Sequence, residues 1–317
     1  MDDDAMNSGL ATREDLIECY RLFLDREPEN EFVITEQLKN NPTIWEVIES
    51  FYLSKEHADK NRRISLYYIV KNYYIMRNLS IQDKIKIYIH NMEFLNDNMS
   101  MSSIVELIEE PPILYRDGSE GNDYNCTIQF ERDTAREGEF SLYFSAGAEP
   151  IYCVSFTFFP GPIIGLPNPT VILVSRMQGK KGKFAQISQA TKACDDVSPQ
   201  AILWAVLQGV AIKMGVDNIV GVDAAKNLSY DEKSAEMLVK VYDRFYESVG
   251  AEKMPNGFFL FDASSDSKSE KPLPIAHRAR NKRKREFKRA IVDEVIATWP
   301  IDVIGPGTTP ARDPTSP

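Results

Sequence analysis

The most concentrated chemistry in this sequence is a run of basic side chains in its last fifth. Between Lys271 and Ala290 the chain has nine Lys or Arg residues and one Glu, a net charge of +8 in a chain whose total is −10. Clustered cations bind phosphate-rich surfaces, because the contact releases counterions from lipid headgroups or nucleic acid. The candidate anion-binding residues are Arg278, Arg280, Arg283, Lys284 and Arg285.

Three roles for this basic segment stay open. Apolar Ile291, Val295 and Ile296 continue it at helical spacing toward Trp299, so we predict an amphipathic helix. The helix could dock on the rest of the chain, which carries −18, or hold an anionic lipid surface. Nucleic acid is the least favoured partner, because the predicted helical region 65–110, whose tyrosines could stack on bases, is flanked by mixed rather than basic charge.

Metal chemistry has little support in the sequence. The histidines, His57, His90 and His277, form no HExxH or HxH pattern, and no two cysteines form a CxxC pair. We therefore predict no metal cofactor and four buried, reduced thiols: Cys19, Cys126, Cys153 and Cys194. The acidic first residues and the lack of about 18 consecutive apolar residues predict a cytoplasmic protein.

The first third of the chain is predicted to be helical. Thr12 with Asp15, and Thr43 with Glu46, have the spacing of capping boxes that begin helices. Helical periodicity continues from 65 to 110 and ends at Pro111. Residues 12–58 resemble a short helical module of unknown function from bacterial cell-surface and glycosyltransferase proteins, and a module of this kind favours recruitment of a protein partner.

Beyond residue 112 the apolar period changes to two, which predicts strands at 125–130, 140–144 and 151–158. Short turns make these three antiparallel neighbours, and the apolar run 170–175 predicts a buried fourth strand. A helix from Ser198, a strand at 217–222, a helix from a Ser229–Glu232 capping box and a strand at 257–261 follow. The helix between the strands at 170–175 and 217–222 allows a right-handed crossover, so we predict that these two strands are parallel.

The predicted fold class is therefore α+β, a mostly antiparallel sheet with a strand-helix-strand-helix-strand C-terminal half behind an all-helical N-terminal region. We divide the chain into a helical module at 10–60, a larger domain at 61–300, helical to 110 and mixed α+β beyond, and a disordered tail at 301–317.

Six segments of the sequence carry a family resemblance: 136–142 (REGEFSL), 151–156 (IYCVSF), 177–179 (MQG), 191–193 (TKA), 242–246 (YDRFY) and the basic run 278–289. Through these segments the sequence from about 65 to 299 resembles the VirK/YbjX family of bacterial proteins. The resemblance implies a link to virulence, outer-envelope properties and resistance to antimicrobial peptides, but it brings no established reaction. The family continues its Thr-Lys segment into His-Gly-x-Arg-Pro-Lys, whereas residues 195–200 here read Asp-Asp-Val-Ser-Pro-Gln.

The order of elements also resembles the GNAT acyltransferase fold, in which a loop after strand four holds the pyrophosphate of acyl-CoA. That resemblance implies acyl-CoA as cofactor and Tyr246 as general acid, with Asp223 as base or amine-orienting group. The residue corresponding to the loop's last small position is Lys181, whose side chain obstructs close backbone approach. The implied cofactor-binding residues are Arg176, Gln178, Gly179, Lys180, Gly182, Lys183 and Ser198.

Two functions follow as hypotheses. The first is acyl transfer to an amine or hydroxyl of an envelope-related substrate. The second is a non-catalytic adaptor that holds an anionic surface through its basic helix.

Overall fold

A single mixed sheet organises the chain in its computed structural model, which describes residues 10–24, 26–43, 46–47, 50–51, 74–117, 123–131, 137–265 and 275–299. The strand order is β1-β2-β3-β4-β5-β6-β8-β7. Neighbours are antiparallel except β5 and β6, which are parallel. The strands are β1 Ile113–Asp117, β2 Tyr124–Phe130, β3 Phe140–Ala146, β4 Glu149–Pro160, β5 Thr170–Gly179, β6 Asn218–Val222, β7 Glu252–Lys253 and β8 Phe258–Asp262.

Helices precede the sheet, connect its strands and follow it. Among the described residues, no helix is long and apolar enough to cross a membrane. The helices are α1 Arg13–Leu24, α2 Glu31–Asn40, α3 Ile81–Asn98, α4 Met101–Glu109, α5 Phe184–Ala193, α6 Pro199–Lys213, α7 Ala235–Val241, α8 Asp243–Val249 and α9 Ile275–Thr298.

The predicted α+β class, the antiparallel β2-β3-β4-β5 order and the parallel β5–β6 pair are confirmed. The two N-terminal capping boxes also form. The Thr12 N–H donates to Asp15 at 2.9 Å, and the Thr43 N–H donates to Glu46 at 2.9 Å. These elements follow from local chemistry, because period and cap residues act over one or two turns.

Several elements depart from the sequence predictions. Helix α2 and the two-residue strand β7 were not predicted, and residues 74–80 form no helix although they lie in the region predicted to be helical. Strand β1 was not predicted, because it is a five-residue edge strand directly after two prolines. Helix α5 was not predicted, because Lys183 before it has no side-chain acceptor for the first-turn N–H groups. The helix predicted from Ser229 to Gly250 begins later and is divided: the chain turns at Asp231 and Ser234, and two helices then meet at Tyr242, the second ending at Gly250 as predicted.

The two faces of the sheet bury different clusters. One cluster packs α6 and α9 on residues such as Phe156 and Val174. The other places Leu16 and Tyr20 of α1 in the same buried group as Leu173 of β5. The predicted domain division stays a prediction, and its residues 52–73 and 300–317 lie outside the described part.

Helix α9, the predicted basic helix, docks on the body of the protein. Ile291 and Val295 are buried, and a Cβ atom at Gly209 of α6 would lie 2.7 Å from the Val295 side chain. Arg280 pairs with Asp196 at 2.7 Å, and the Lys284 ammonium donates to the Asp196 carbonyl at 2.5 Å. Two of the anion-binding candidates therefore contact the chain itself, and the side chain of Arg278 lies outside the described part.

Candidate functional site

A cavity of about 300 Å³ opens at the C-terminal end of β5. Two of the segments that carry the VirK/YbjX resemblance line this cavity. Segment 151–156 contributes Tyr152 and Cys153, and segment 177–179 contributes Gln178 and Gly179. A third segment, 136–142, contains Glu137, whose carboxylate pairs with Arg176. We define the β5 cavity by its lining residues: Tyr143, Pro150, Tyr152, Cys153, Arg176, Gln178, Gly179, Lys180 and Lys181.

Arg176 is the most constrained cation of the β5 cavity. It lies within the strand rather than in the loop after it, and its guanidinium contacts Glu137 at 2.7 Å. Its Nε–H is buried and has no hydrogen-bond partner among the described residues. A buried donor without a partner loses the free energy of a hydrogen bond, so this group favours an acceptor oxygen supplied by a ligand.

Lys180 and Lys181 begin the tight turn that follows β5. The Lys180 N–H donates to the Ile151 carbonyl at 2.9 Å, and the Lys183 N–H donates to the Lys180 carbonyl at 3.1 Å. Gly182 completes the turn at φ +82°, a conformation that favours glycine. Lys183 is not a lining residue, and its ammonium pairs with Glu149 at 2.6 Å.

The charges at the β5 cavity favour an anion. Arg176, Lys180 and Lys181 line it, whereas the carboxylate of Glu137 pairs with Arg176 and that of Glu131 accepts a hydrogen bond from the lining residue Tyr143. Tyr143, Pro150 and Tyr152 add apolar surface beside the cations. The arrangement suits a ligand with phosphate or carboxylate oxygens and an apolar or planar part.

Cys153 does not supply a nucleophile in this arrangement. Its thiol donates to the Gln178 carbonyl at 3.5 Å, and burial raises its pKa. Thiol nucleophilicity depends on the thiolate form, which a raised pKa makes scarce at neutral pH.

Beside the cavity, β5 and β6 separate. They pair over three residues, from Ile172–Ile219 to Val174–Gly221. Past that point the Asn227 amide donates to the Ser175 carbonyl at 2.8 Å, and the Met177 N–H donates to the Tyr242 hydroxyl at 3.1 Å. Side chains of the protein itself thus occupy the β5 edge. The sequence did not predict this role of Asn227 and Tyr242, although Tyr242 lies in segment 242–246, which carries part of the VirK/YbjX resemblance.

Three of the remaining predicted site residues, Tyr246, Asp223 and Ser198, are not among the residues that line the β5 cavity. The Tyr246 side chain is 0% exposed, and its ring lies against Gly221 and Trp204. Asp223 caps the short helix after β6 by accepting from the Lys226 N–H at 2.9 Å. Ser198 caps α6, and the ten-residue helix α5 separates it from the turn. The structure therefore brings together Arg176, Gln178, Gly179 and Lys180 but not these three residues.

A family model matches residues 35–296, which include the whole sheet and the β5 cavity. The chain belongs to the DUF535 family. This family is described as proteins of unknown function, and it is the family that the VirK/YbjX resemblance names. No curated protein matches the chain. The match begins inside α2, so the helical module predicted at 10–60 overlaps the DUF535 region.

The segment in which this DUF535 chain departs from the family pattern has a structural role. Asp195 and Asp196 have positive φ angles of 51° and 58°. Asp196 holds Arg280 and Lys284 of α9, as described above. The Gln200 amide donates to the Val241 carbonyl at 3.0 Å. Residues 195–200 therefore include an acidic attachment point for the basic helix.

The site fits only part of acyl-CoA. Arg176, Lys180 and Lys181 match its phosphate groups, and the unpartnered Nε–H of Arg176 offers a donor. If the phosphates of acyl-CoA lay at the turn, its acyl-bearing arm would have to displace Tyr242 and Asn227 from β5 to reach Tyr246. Among the described residues, no group of three or more His, Cys, Asp or Glu side chains could hold a metal ion.

The buried hydroxyl of Tyr246 gives the first testable prediction. It has no hydrogen-bond partner among the described residues, and burial raises its pKa well above the ordinary value. Tyr246→Phe removes this unsatisfied group while keeping the ring, so we expect the free energy of unfolding to rise by about 1 kcal/mol. Urea denaturation measures it. A loss of stability would show that the hydroxyl makes a stabilising contact.

Proposed function

We propose that this chain binds an acyl-CoA through phosphate contacts in the β5 cavity and acts as a GNAT-like acyltransferase. In that reaction an amine or hydroxyl of an envelope-related acceptor forms a bond to the acyl carbon. The thioester C–S bond breaks, the proton lost by the acceptor passes through solvent to the leaving sulfur, and CoA leaves as the thiol. The Tyr246 hydroxyl does not donate a proton to this sulfur in the described arrangement, because it is fully buried.

One observation carries the proposal: three cations converge at the end of the strand that pairs in parallel with β6. The strand order β4-β5-β6-β8-β7 supports the GNAT resemblance, and that resemblance puts the phosphates at the turn after β5. Charge-assisted hydrogen bonds to phosphate are among the strongest in proteins. The unpartnered Nε–H of Arg176 supports an acceptor oxygen at the same place.

Isothermal titration with acetyl-CoA, longer acyl-CoAs and free CoA tests this proposal directly. We expect the double variant Lys180→Ala with Lys181→Ala to bind at least about tenfold more weakly, because it removes two charges from the cavity. Lys233→Ala with Lys240→Ala removes the same charge from an exposed surface elsewhere and is expected to bind normally. Failure of every CoA compound to bind, or equal weakening in both variants, would overturn the proposal.

A second candidate is a non-catalytic adaptor that holds an anionic lipid surface through α9, with residues 12–58 recruiting a protein partner. The observation in its favour is that Arg283 and Arg285 are exposed while Arg280 and Lys284 dock on Asp196. Vesicle flotation at low and high salt tests it. Flotation that salt abolishes supports the adaptor, and no flotation at low salt contradicts it.

A further inference from the structure

A second cavity, of about 200 Å³, runs along α9 where this helix faces α6 and the segment after β8. We call it the α9 groove. Its α9 residues recur at intervals of three and four, so they form one stripe of the helix. The neighbouring stripe, with Ile291 and Val295, is buried against α6. The groove is lined by Gln208, Ile212, Ala263, Ser264, Ser265, Arg285, Lys288, Arg289, Val292, Asp293 and Ile296.

The lining of the α9 groove changes character along the helix. Its N-terminal end holds the cations Arg285, Lys288 and Arg289, and its C-terminal end holds Val292 and Ile296. Eleven residues separate Arg285 from Ile296, which corresponds to about 16 Å along a helix. A cationic end and an apolar end at this separation match the headgroup and the first chain segment of a lipid.

Two further observations support a cationic end at Arg285 and an apolar end at Ile296. Ile212 of α6 faces the groove and is 39% exposed, so an apolar surface is available beside Val292. Asp293 is a groove-lining carboxylate eight residues beyond Arg285, and it repels phosphate from the apolar end. An anionic ligand is therefore attracted to the Arg285 end, and its apolar part extends toward Ile296.

We infer that the α9 groove binds an anionic phospholipid, with the headgroup phosphate between Arg285 and Arg289 and part of one chain on Ile212 and Val292. The volume admits a phosphate and a few carbon atoms, so the rest of the lipid stays in the bilayer. This inference rests on the adaptor candidate and gives it a specific site and ligand class. It is independent of what the β5 cavity binds.

Flotation with mixed phosphatidylglycerol–phosphatidylcholine vesicles tests the groove with the full-length chain. Arg285→Ala with Arg289→Ala removes two groove cations, and we expect it to weaken vesicle binding about thirtyfold. The matched control, Lys282→Ala with Arg283→Ala, removes two exposed cations of the same helix that do not line the groove. It is expected to weaken binding only a few-fold.

The apolar arm of the experiment uses Ile212→Asn, a partly exposed position at which we expect unchanged folding by circular dichroism. We expect it to weaken binding to the mixed vesicles while an excess of inorganic phosphate competes poorly for the groove. No effect of Ile212→Asn, or full competition by phosphate, would overturn the lipid as occupant. Equal losses in the two cation pairs would overturn the groove but leave the adaptor, and no flotation of the wild-type chain would overturn both.

Discussion

Gly221→Ala is expected to destabilise the protein by about 3 kcal/mol, a large effect for one methyl group. A Cβ atom at this position of β6 would lie within 2.5 Å of three carbons of the Tyr246 ring. That ring is fully buried and also contacts Trp204 and Phe259, so it cannot move away without disturbing the core. Urea denaturation of the variant and the wild-type chain measures the difference in the free energy of unfolding.

A double-mutant cycle tests whether the collision with Tyr246 is the cause. Tyr246→Leu shortens the side chain, so the added methyl group should cost less in this background. We expect the double variant to lose about 1–2 kcal/mol less free energy of unfolding than the two single variants lose together. Additive effects would show that the cost of Gly221→Ala arises elsewhere in the strand.

Glu139 carries the second large prediction, which concerns the pH dependence of stability. Its carboxyl is 1% exposed and accepts hydrogen bonds from the hydroxyls of Tyr74 and Thr157. Burial raises its pKa above the ordinary value of 4.5, although the two hydroxyls partly offset this effect. The group therefore stabilises the fold fully at pH values below 4.5, and this contribution is lost as the pH rises through the folded-state pKa.

Glu139→Gln is the matched variant, because it keeps the shape and cannot ionise. We expect the stability of the wild-type chain relative to Glu139→Gln to fall between pH 4.5 and the folded-state pKa, by at most about 1.4 kcal/mol for each pH unit. Urea denaturation over this range measures it. A difference that is constant with pH would contradict the raised pKa.

Glu139→Ala serves as the companion variant. It leaves the buried hydroxyls of Tyr74 and Thr157 without their acceptor, so we expect a loss of about 3 kcal/mol below pH 4.5, which becomes smaller as the pH rises through the folded-state pKa. A loss no larger than that of Glu139→Gln would show that the hydroxyls find other partners. Through Glu139, which directly precedes β3, these hydrogen bonds connect Tyr74, from before α3, with Thr157 of β4, contacts that no local pattern indicates.

The candidate site was predictable only where it lies on consecutive residues. Arg176, Gln178, Gly179 and Lys180 line one cavity because they follow one another at the end of a strand. Tyr143 and Pro150 come from elsewhere in the chain and were missed, since their proximity depends on strand register. Glu137, which pairs with Arg176, lies in segment 136–142 of the VirK/YbjX resemblance, but nothing in the sequence indicates that the two residues meet.

The sequence by itself determined the alternation of helices and strands, the antiparallel order with one parallel pair, and the basic helix at the end. These features follow from periodicity, capping residues and the handedness of crossovers, which act over short distances or apply to all chains. Only the tertiary structure decided that Tyr246 is enclosed against Gly221, that Tyr242 and Asn227 occupy the β5 edge, and that Asp196 holds α9. Each of these depends on which side chains meet across elements far apart in the chain, and close packing settles that choice.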